Sequence, residues 1–452
     1  MNTPQPHTRP SAHTPDSTPD STSGSTSGSA AAPDNRSLQR QPVDIAIVGG
    51  GMIGAAMALR LSGLGWRLAL LDGQAIGAGQ DIAAGQGSAK ADDATADHSE
   101  PDYDARVSAL THASQNLFES LGVWQAMRDQ RVSPYLHMHV READGTGKID
   151  FSAADIHVAT LGHIVENRVT TTALHSALLQ KNDIEILAPM RVDGYQSAGA
   201  EGQHLQLSDG STLPATLVIA ADGANSPLRQ LAAMTVREWD YGHQAVVTTV
   251  RTEQAHDQTA RQTFMDDGIL AFLPLAGGDG HYSSIVWSLV PERASEAMAM
   301  NDTQFAAALA LASERWLGAV ESSARRFCLP LYQRHAVDYI NGHGLVLIGD
   351  AAHSIHPLAG QGANLGLLDV TALAEELARG RRSGRSPADP VVLARYQRRR
   401  KPHNLMMMAM MEGFKRLYSD QPLPLRWLRN TGMHTVDRWP TLKNRLMREA
   451  LG

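Results

Sequence analysis

Three glycines, Gly49, Gly51 and Gly54, directly follow the apolar run Val43-Asp-Ile-Ala-Ile-Val48 and open a stretch of small and apolar residues. At this spacing glycine lets a chain turn tightly out of a strand, approach a pyrophosphate closely, and pack the following helix against the strand. The N-terminus of that helix presents unpaired N–H groups and the positive end of its dipole to phosphate. Asp72 closes the next apolar run, 18 residues after Gly54, where a carboxylate can bind a ribose hydroxyl. Strand, glycine turn, helix and acid in register predict dinucleotide binding. The glycines alone do not separate a flavin from a nicotinamide dinucleotide.

Two further segments favour FAD. In Leu217-Val-Ile-Ala-Ala-Asp222-Gly223-Ala-Asn-Ser-Pro-Leu-Arg229 an apolar strand stops at Asp-Gly and turns into a helix start. In Leu345-Val-Leu-Ile-Gly349-Asp350-Ala-Ala-His353-Ser-Ile-His356-Pro357-Leu-Ala-Gly360-Gln361-Gly362-Ala363-Asn364 a strand again ends at an acid. Asp350 is placed to accept hydrogen bonds from a flexible polyol. The Pro-x-x-Gly-Gln-Gly loop leads into a helix, and its N–H groups can face the electron-rich edge of a flavin and stabilise the reduced, anionic ring.

These groups need a large scaffold. The chain has 452 residues, 42% hydrophobic and 19% charged, the composition of a globular protein of two or three cooperating units. The expected fold class is α/β: a Rossmann-like FAD-binding domain, an inserted mixed-sheet substrate domain and a helical C-terminus. Residues 42–134, 165–230 and 340–385 are assigned to the first, 135–164 and 231–339 to the second, and 386–452 to the third. Residues 1–41, rich in Ser, Thr, Pro and Asp, are expected to form a disordered tail, and 74–103 a mobile loop. The segments LHMHVREADGTGKIDF, HLQLSDGSTL and ILAFLPLAGGDGHYSSIVWSLV alternate short strands with turns and suggest a sheet separate from the nucleotide-binding one.

A single cysteine, Cys328, rules out an intrachain disulfide and points to a reducing compartment, with the thiol expected inert. No apolar run is long enough to span a bilayer. The net charge of −7 hides an asymmetry, because residues 395–452 carry 13 Lys/Arg against 4 Asp/Glu. A basic tail on an acidic body fits an anionic surface or partner, and equally a solvated helical face. The run LMMMAMM at 405–411 fits core packing, or a soft apolar face for a lipid tail, membrane or partner, an alternative strengthened by the adjacent RRRK at 398–401. His353 and His356 form an H-x-x-H, but inside the glycine loop a structural or cofactor-facing role is favoured, and no metal site is expected.

With the glycine motif, the Asp-Gly segment and the Gly-Asp segment in this order, the chain resembles the flavoprotein aromatic hydroxylases built like p-hydroxybenzoate hydroxylase. Within them it is most similar to the ubiquinone-biosynthesis hydroxylases (the UbiH, UbiF and UbiI group). The narrower likeness is carried by DARVSALTHAS (104–114), LGHIVENRV (161–169), ADGANSPLR, GILAFLPL (268–275), SIVWSL (284–289) and HPLAGQGANLG. LGVWQAM, LGHIVENRV and ARQTFMDDGILAFLPL point to the 2-octaprenylphenol hydroxylase branch. The departures are a longer tail, a longer 74–103 loop, and Ala363 where the group usually has Val.

The resemblance implies roles. Gly49, Gly51, Gly54 and Asp72 would hold the ADP half of FAD, and Arg106 would lie by the cofactor. Asp222 and Gly223 would contact FAD and NAD(P)H, and Gly349 and Asp350 the ribityl chain. Pro357 and the backbone of Gly360, Gln361, Gly362, Ala363 and Asn364 would line the flavin ring, where Pro357, Gly360, Gln361 and Gly362 frame the catalytic face. NAD(P)H would reduce the flavin, O2 would give a flavin hydroperoxide, and its distal oxygen would attack an electron-rich phenol. Phe272, Leu273 and Pro274 are candidate pocket residues, with ordinary sheet core the equal alternative.

The expected partners are a polyprenylated phenol as substrate, other ubiquinone-biosynthesis proteins, a homo-oligomeric second copy, and a membrane touched through the basic C-terminal region. Nucleic acid is not expected. The expected location is the cytoplasm, peripheral to a bacterial inner membrane. A hydroxylase of a small soluble aromatic and a non-catalytic FAD-fold scaffold remain the alternative readings.

Overall fold

Val43–Val48 is buried on both faces, as a central parallel strand must be. In the computed structural model, which describes residues 39–77, 102–143, 147–199, 202–354, 362–418 and 444, this strand lies at the middle of a seven-stranded sheet. Its parallel neighbours are Leu68–Leu71 on one side and Thr212–Ala220 on the other. Ile184–Leu187 extends the sheet past Leu68–Leu71, and Leu345–Leu347 runs parallel to the second half of Thr212–Ala220. The tail 1–38, residues 78–101 of the expected loop, and Pro357, Gly360 and Gln361 lie outside the described residues.

In chain order the helices are α1 (Met52–Leu61), α2 (His112–Ser120), α3 (Trp124–Gln130), α4 (Asn167–Leu178), α5 (Pro227–Leu231), α6 (Pro291–Ala299), α7 (Asp302–Ala312), α8 (Gly362–Arg382) and α9 (Pro390–Tyr418). Small residues let α1 sit close to its neighbours: Gly54, Ala55, Ala56 and Ala58 are buried, and the helix packs against α4 and α8. One continuous apolar core joins this sheet to α1, α4, α8 and the start of α9.

A second, nine-stranded sheet is built mainly from 137–152, 236–289 and 320–336. It is largely antiparallel, with His137–Glu142 parallel to Thr259–Met265. One face, with Val246, Val250, Leu270, Phe272, Ile285 and Trp287, packs on Phe305 and Leu309 of α7. The other face carries Ala260 and Leu273, which meet Ala109 and Ile164 of a three-stranded sheet. The mixed α/β class with an additional mixed sheet and C-terminal helices is therefore present as expected.

One expectation is corrected. HLQLSDGSTL does not belong to the separate sheet: Gln203–Leu207 hairpins onto Thr212–Ala220, whose far half is the central parallel strand beside Val43–Val48. Alternation revealed strands here but not the sheet they join. The RRRK run divides between surface and core, with Arg398 and Arg399 exposed and Arg400 buried. Arg400 is buried against Asp369, Arg399 pairs with Glu375, and Lys401 donates to the Val337 carbonyl. The methionines of α9 divide, since Met408 is 2% exposed whereas Leu405, Met406 and Met410 are 43%, 54% and 42% exposed.

A Cβ at Gly54 would collide with the Gly49 carbonyl oxygen, so α1 can approach the turn only with glycine there. Gly54→Ala should cost about 1–3 kcal/mol of stability through this overpacking, read as a lower denaturation midpoint in urea; an unchanged midpoint would refute the contact.

Candidate functional site

The strands Val43–Val48, Leu68–Leu71, Thr212–Ala220 and Leu345–Leu347 all end at one edge, and the three motif loops leave from there. Gly49 has φ 106° and faces the backbone of Ala221, where any Cβ would clash. This is the point at which the glycine loop and the Asp-Gly loop touch. Gly51 begins α1 with no side-chain cap, open space where a Cβ would stand, and no acidic residue in the first turn. An uncapped, uncrowded helix start with no acid in its first turn suits a pyrophosphate.

Asp72 holds this loop from below. Its Oδ2 accepts from Gly50 N–H at 2.5 Å and its Oδ1 from Gln74 N–H at 2.7 Å, leaving further lone pairs for a ribose hydroxyl. His175 on α4 places a ring nitrogen 2.7 Å from the Gly50 carbonyl oxygen. Asp222 accepts from the Leu228 N–H of α5 at 3.0 Å, while its Oδ1 is buried with no partner among the described residues. Burial raises the Asp222 pKa, against opposing bonds from Ser226 and Leu228. A buried acceptor of this kind carries a desolvation cost that a donor on a bound ligand would relieve. Gly223, at φ 84°, supplies the left-handed turn that follows.

Arg229 joins the second and third motifs. It is 4% exposed and donates to the Ala351 carbonyl at 2.8 Å and the Ala224 carbonyl at 2.9 Å. Next to Ala351, Asp350 offers accessible surface at the end of its strand. Desolvation raises its pKa, and the nearby charges of His353, Arg106 and Arg334 oppose the shift. Arg106, on a separate segment, is near enough for its charge to act on Asp350. Its own strand end is fixed by acids: Asp104 accepts from Arg106 N–H and Arg168 N–H, each at 3.0 Å. Glu166, 2% exposed, accepts from Asp104 N–H at 2.7 Å and pairs with Arg131 at 2.8 Å. DARVSAL and HIVENRV are therefore two strands locked to each other, Val107–Leu110 antiparallel to Gly162–Glu166.

Gly362, Ala363 and Asn364 form the first turn of α8. The Asn364 side chain is held within the protein, accepting from Thr111 N–H at 3.1 Å and Ser114 Oγ at 2.7 Å and donating to the Ala109 carbonyl at 2.7 Å. Pro357, Gly360, Gln361 and His356 cannot be placed, being outside the described residues. His353 is 2% exposed and bonds Asp369 at 2.6 Å, a structural position. Cys328 is partly buried, donates to Gln244 at 3.1 Å, and has its pKa raised by burial.

Phe272, Leu273 and Pro274 are all buried, as the ordinary sheet-core alternative has it. They are consecutive on a strand, so Phe272 faces α7 while Leu273 faces Ala109 and Ile164. Of the three, Leu273 lies on the side of the sheet that turns toward the three-stranded sheet and its Arg106 end. His175, Asp104, Glu166, Arg229, Asp369 and Arg400 are organising residues that sequence reasoning did not single out. Most stood inside segments already marked, but their charge alone gave no sign of a partner.

A family model described as "FAD binding domain" matches residues 95–410. The chain is 37% identical to a 3-demethoxyubiquinol 3-hydroxylase of Escherichia coli over 422 residues, 92% of this chain and all of that protein. It is 34% identical to the ubiquinone hydroxylase UbiL of Rhodospirillum rubrum, over 90% of this chain and 89% of the relative. Among solved structures, the probable FAD-dependent monooxygenase PqsL of Pseudomonas aeruginosa matches with TM-score 0.70 at 21% identity, covering 87% of this chain and all of that one. The p-nitrophenol 4-monooxygenase PnpA of Pseudomonas putida matches at TM-score 0.66 and 19% identity, covering 91% and 97%. At these identities the structures speak for the fold alone.

Behind the site, His335 is 3% exposed and burial, followed by repulsion from His353, Lys401 and Arg237, lowers its pKa to about 4. An unfolded histidine titrates near about 6.5. As pH falls between those values the unfolded chain binds a proton that the fold refuses, so stability is lost across that window. The melting temperature should fall from about pH 6.5 to about pH 4, less steeply in His335→Gln. Equal slopes in both proteins would remove His335 from the account.

Proposed function

Because the chain belongs to the FAD binding domain family and is an FAD-dependent monooxygenase, we propose that it hydroxylates the aromatic ring of a polyprenylated phenol in ubiquinone biosynthesis. The observation that carries this reading is the end-to-end match to a ubiquinone-pathway hydroxylase, with the glycine loop, Asp72, Asp222 and Asp350 all present and converging. NAD(P)H is the electron donor and O2 the oxygen source. Bound FAD supplies the redox chemistry that places one oxygen atom on an electron-rich ring.

The chain's own residues bind, orient and keep the site dry. Gly49, Gly51 and Gly54 admit the pyrophosphate to the start of α1, and Asp72 takes a ribose hydroxyl while fixing Gly50. Asp350 accepts from the polyol, with the Arg106 charge alongside it. Asp222 offers its unpaired oxygen toward the dinucleotide. The backbone N–H groups of Gly362, Ala363 and Asn364 at the α8 start would face the ring, where developing negative charge is stabilised.

The substrate is tested in two ubiquinone-producing bacterial strains, one lacking 2-octaprenylphenol hydroxylase and one lacking 3-demethoxyubiquinol 3-hydroxylase. Restored ubiquinone in either, with loss of its accumulated intermediate, supports a polyprenylated phenol and names the ring position. Failure in both, by a protein that is yellow with FAD, would leave the small soluble aromatic as the better reading.

We also propose that the enzyme works in the cytoplasm, against the inner membrane, through one face of α9. Arg395, Arg398, Arg399, Pro402, Leu405, Met406, Ala409 and Met410 recur at helical spacing along that face. Arg398 and Arg399 are exposed, and the exposed residues beyond Pro402 are apolar. Cations followed by an apolar stripe suit an anionic lipid surface. Co-sedimentation with phosphatidylglycerol-containing vesicles should be lost in Leu405→Ser/Met406→Ser/Met410→Ser at unchanged melting temperature. Equal sedimentation of parent and variant would place the contact elsewhere.

A further inference from the structure

Behind the Gly349-Asp350 turn lies a buried polar cluster that no role described above uses. Asp369, on α8, has no exposed surface. Its Oδ2 accepts from the Gly349 N–H at 3.0 Å and lies 2.6 Å from the His353 ring nitrogen. Its Oδ1 accepts from Arg400 Nε of α9 at 2.7 Å and from the Asn404 amide at 3.4 Å. Arg400, 5% exposed, also donates to the Leu365 carbonyl at 3.3 Å and to Asn404 Oδ1 at 2.7 Å, and meets His403 at 3.3 Å. Asn404 reaches the Tyr339 hydroxyl at 3.2 Å, which in turn bonds His335 at 3.1 Å.

Burial pushes the Asp369 carboxyl up, but the charges and hydrogen bonds of His353 and Arg400 outweigh it and hold the group below the ordinary carboxylate range. It is therefore ionised, and its two oxygens face different clients. One side is the Arg400 cation. The other is the backbone of Gly349, a left-handed residue at φ 58° that sets the direction of Asp350.

A buried ion pair in itself is weak evidence of stabilisation, because an apolar pair of similar volume often serves as well. What an apolar pair cannot do is accept the Gly349 N–H and orient His353. We propose that Asp369, anchored by Arg400, is a positioning residue that fixes the Gly349-Asp350 turn and thereby sets the affinity of the protein for FAD. By this link α9 becomes part of the cofactor site while remaining behind it. The inference rests on the reading that Asp350 faces the cofactor.

The test uses the full-length protein stripped of FAD, its melting temperature, and FAD titration followed by flavin fluorescence. Asp369→Leu/Arg400→Met removes both charges together, which avoids stranding Arg400. The apoprotein should melt within a few degrees of the parent, while the dissociation constant for FAD rises about tenfold or more, the loss expected for a bond to a charged acceptor. At saturating FAD the turnover number should fall by less than the affinity does. An apoprotein of parental stability that binds FAD within about twofold of the parent would overturn the proposal. Should the double variant not fold, Asp369→Asn keeps the shape and removes the charge, and the same affinity criterion applies. Asp350→Ala is the reference: affinity lost there but kept in the Asp369 variants overturns the positioning role alone, and affinity kept in all overturns the Asp350 assignment with it.

Discussion

Val43–Val48 and Thr212–Ala220 pair in parallel register from Val43 opposite Ala215 to Val48 opposite Ala220, although about 170 residues separate them in the chain. Their ends continue the contact: Ala221 N–H donates to the Val48 carbonyl at 2.8 Å, and Ile348 N–H donates to the Ala220 carbonyl at 3.0 Å. Three strands, each ending in a loop that carries polar or glycine chemistry, are thereby brought to one line. Gly49 must be glycine because the Asp-Gly loop passes directly against it. Ligands of open α/β sheets bind beyond the C-terminal ends of such strands, and the cofactor groove follows from this pairing.

The loops are then held by polar groups that belong to one another. Arg229 ties the Asp-Gly loop to the Gly-Asp loop, Asp104 and Glu166 tie two strands whose motifs lie 60 residues apart, and Asn364 ties the start of α8 to Thr111 and Ser114. Satisfied buried networks of this kind fix geometry because each alternative arrangement leaves a donor or acceptor dry and unpaired. One exception in the Asp-Gly loop is the second oxygen of Asp222, which is buried without a partner among the described residues. Preorganisation and a remaining unmet bond together describe a site that is shaped before its ligand arrives.

The larger sheet separates two jobs by strand alternation. Its outer face is closed by α6 and α7 around Phe272, Trp287 and Phe305, and its inner face meets the three-stranded sheet that ends at Arg106. Helix α9 also divides its work. Inward, Tyr396, Arg400, Asn404 and Met408 are buried, and outward the surface changes from arginine to leucine and methionine. A helix can do both because residues three and four apart share a face.

The sequence by itself determined the strand–glycine–helix unit, the acid at the end of each motif strand, the mixed α/β class and the resemblance to flavin hydroxylases. Each of these is a local pattern: apolar runs of strand length, glycines where a turn demands them, and a polar residue where the run stops. The tertiary structure decided what those residues meet. HLQLSDGSTL was legible as two strands, yet the sheet it joins depends on where the far half of Thr212–Ala220 pairs. Phe272 and Leu273 read alike, yet the pleat sends them to opposite faces. RRRK read only as a run of like charge, yet Arg400 faces a carboxylate 31 residues earlier in the chain. Residue type and spacing encode the local conformation and the chemistry on offer, whereas the partner of a buried charge is set only when distant elements pack and exclude water between them.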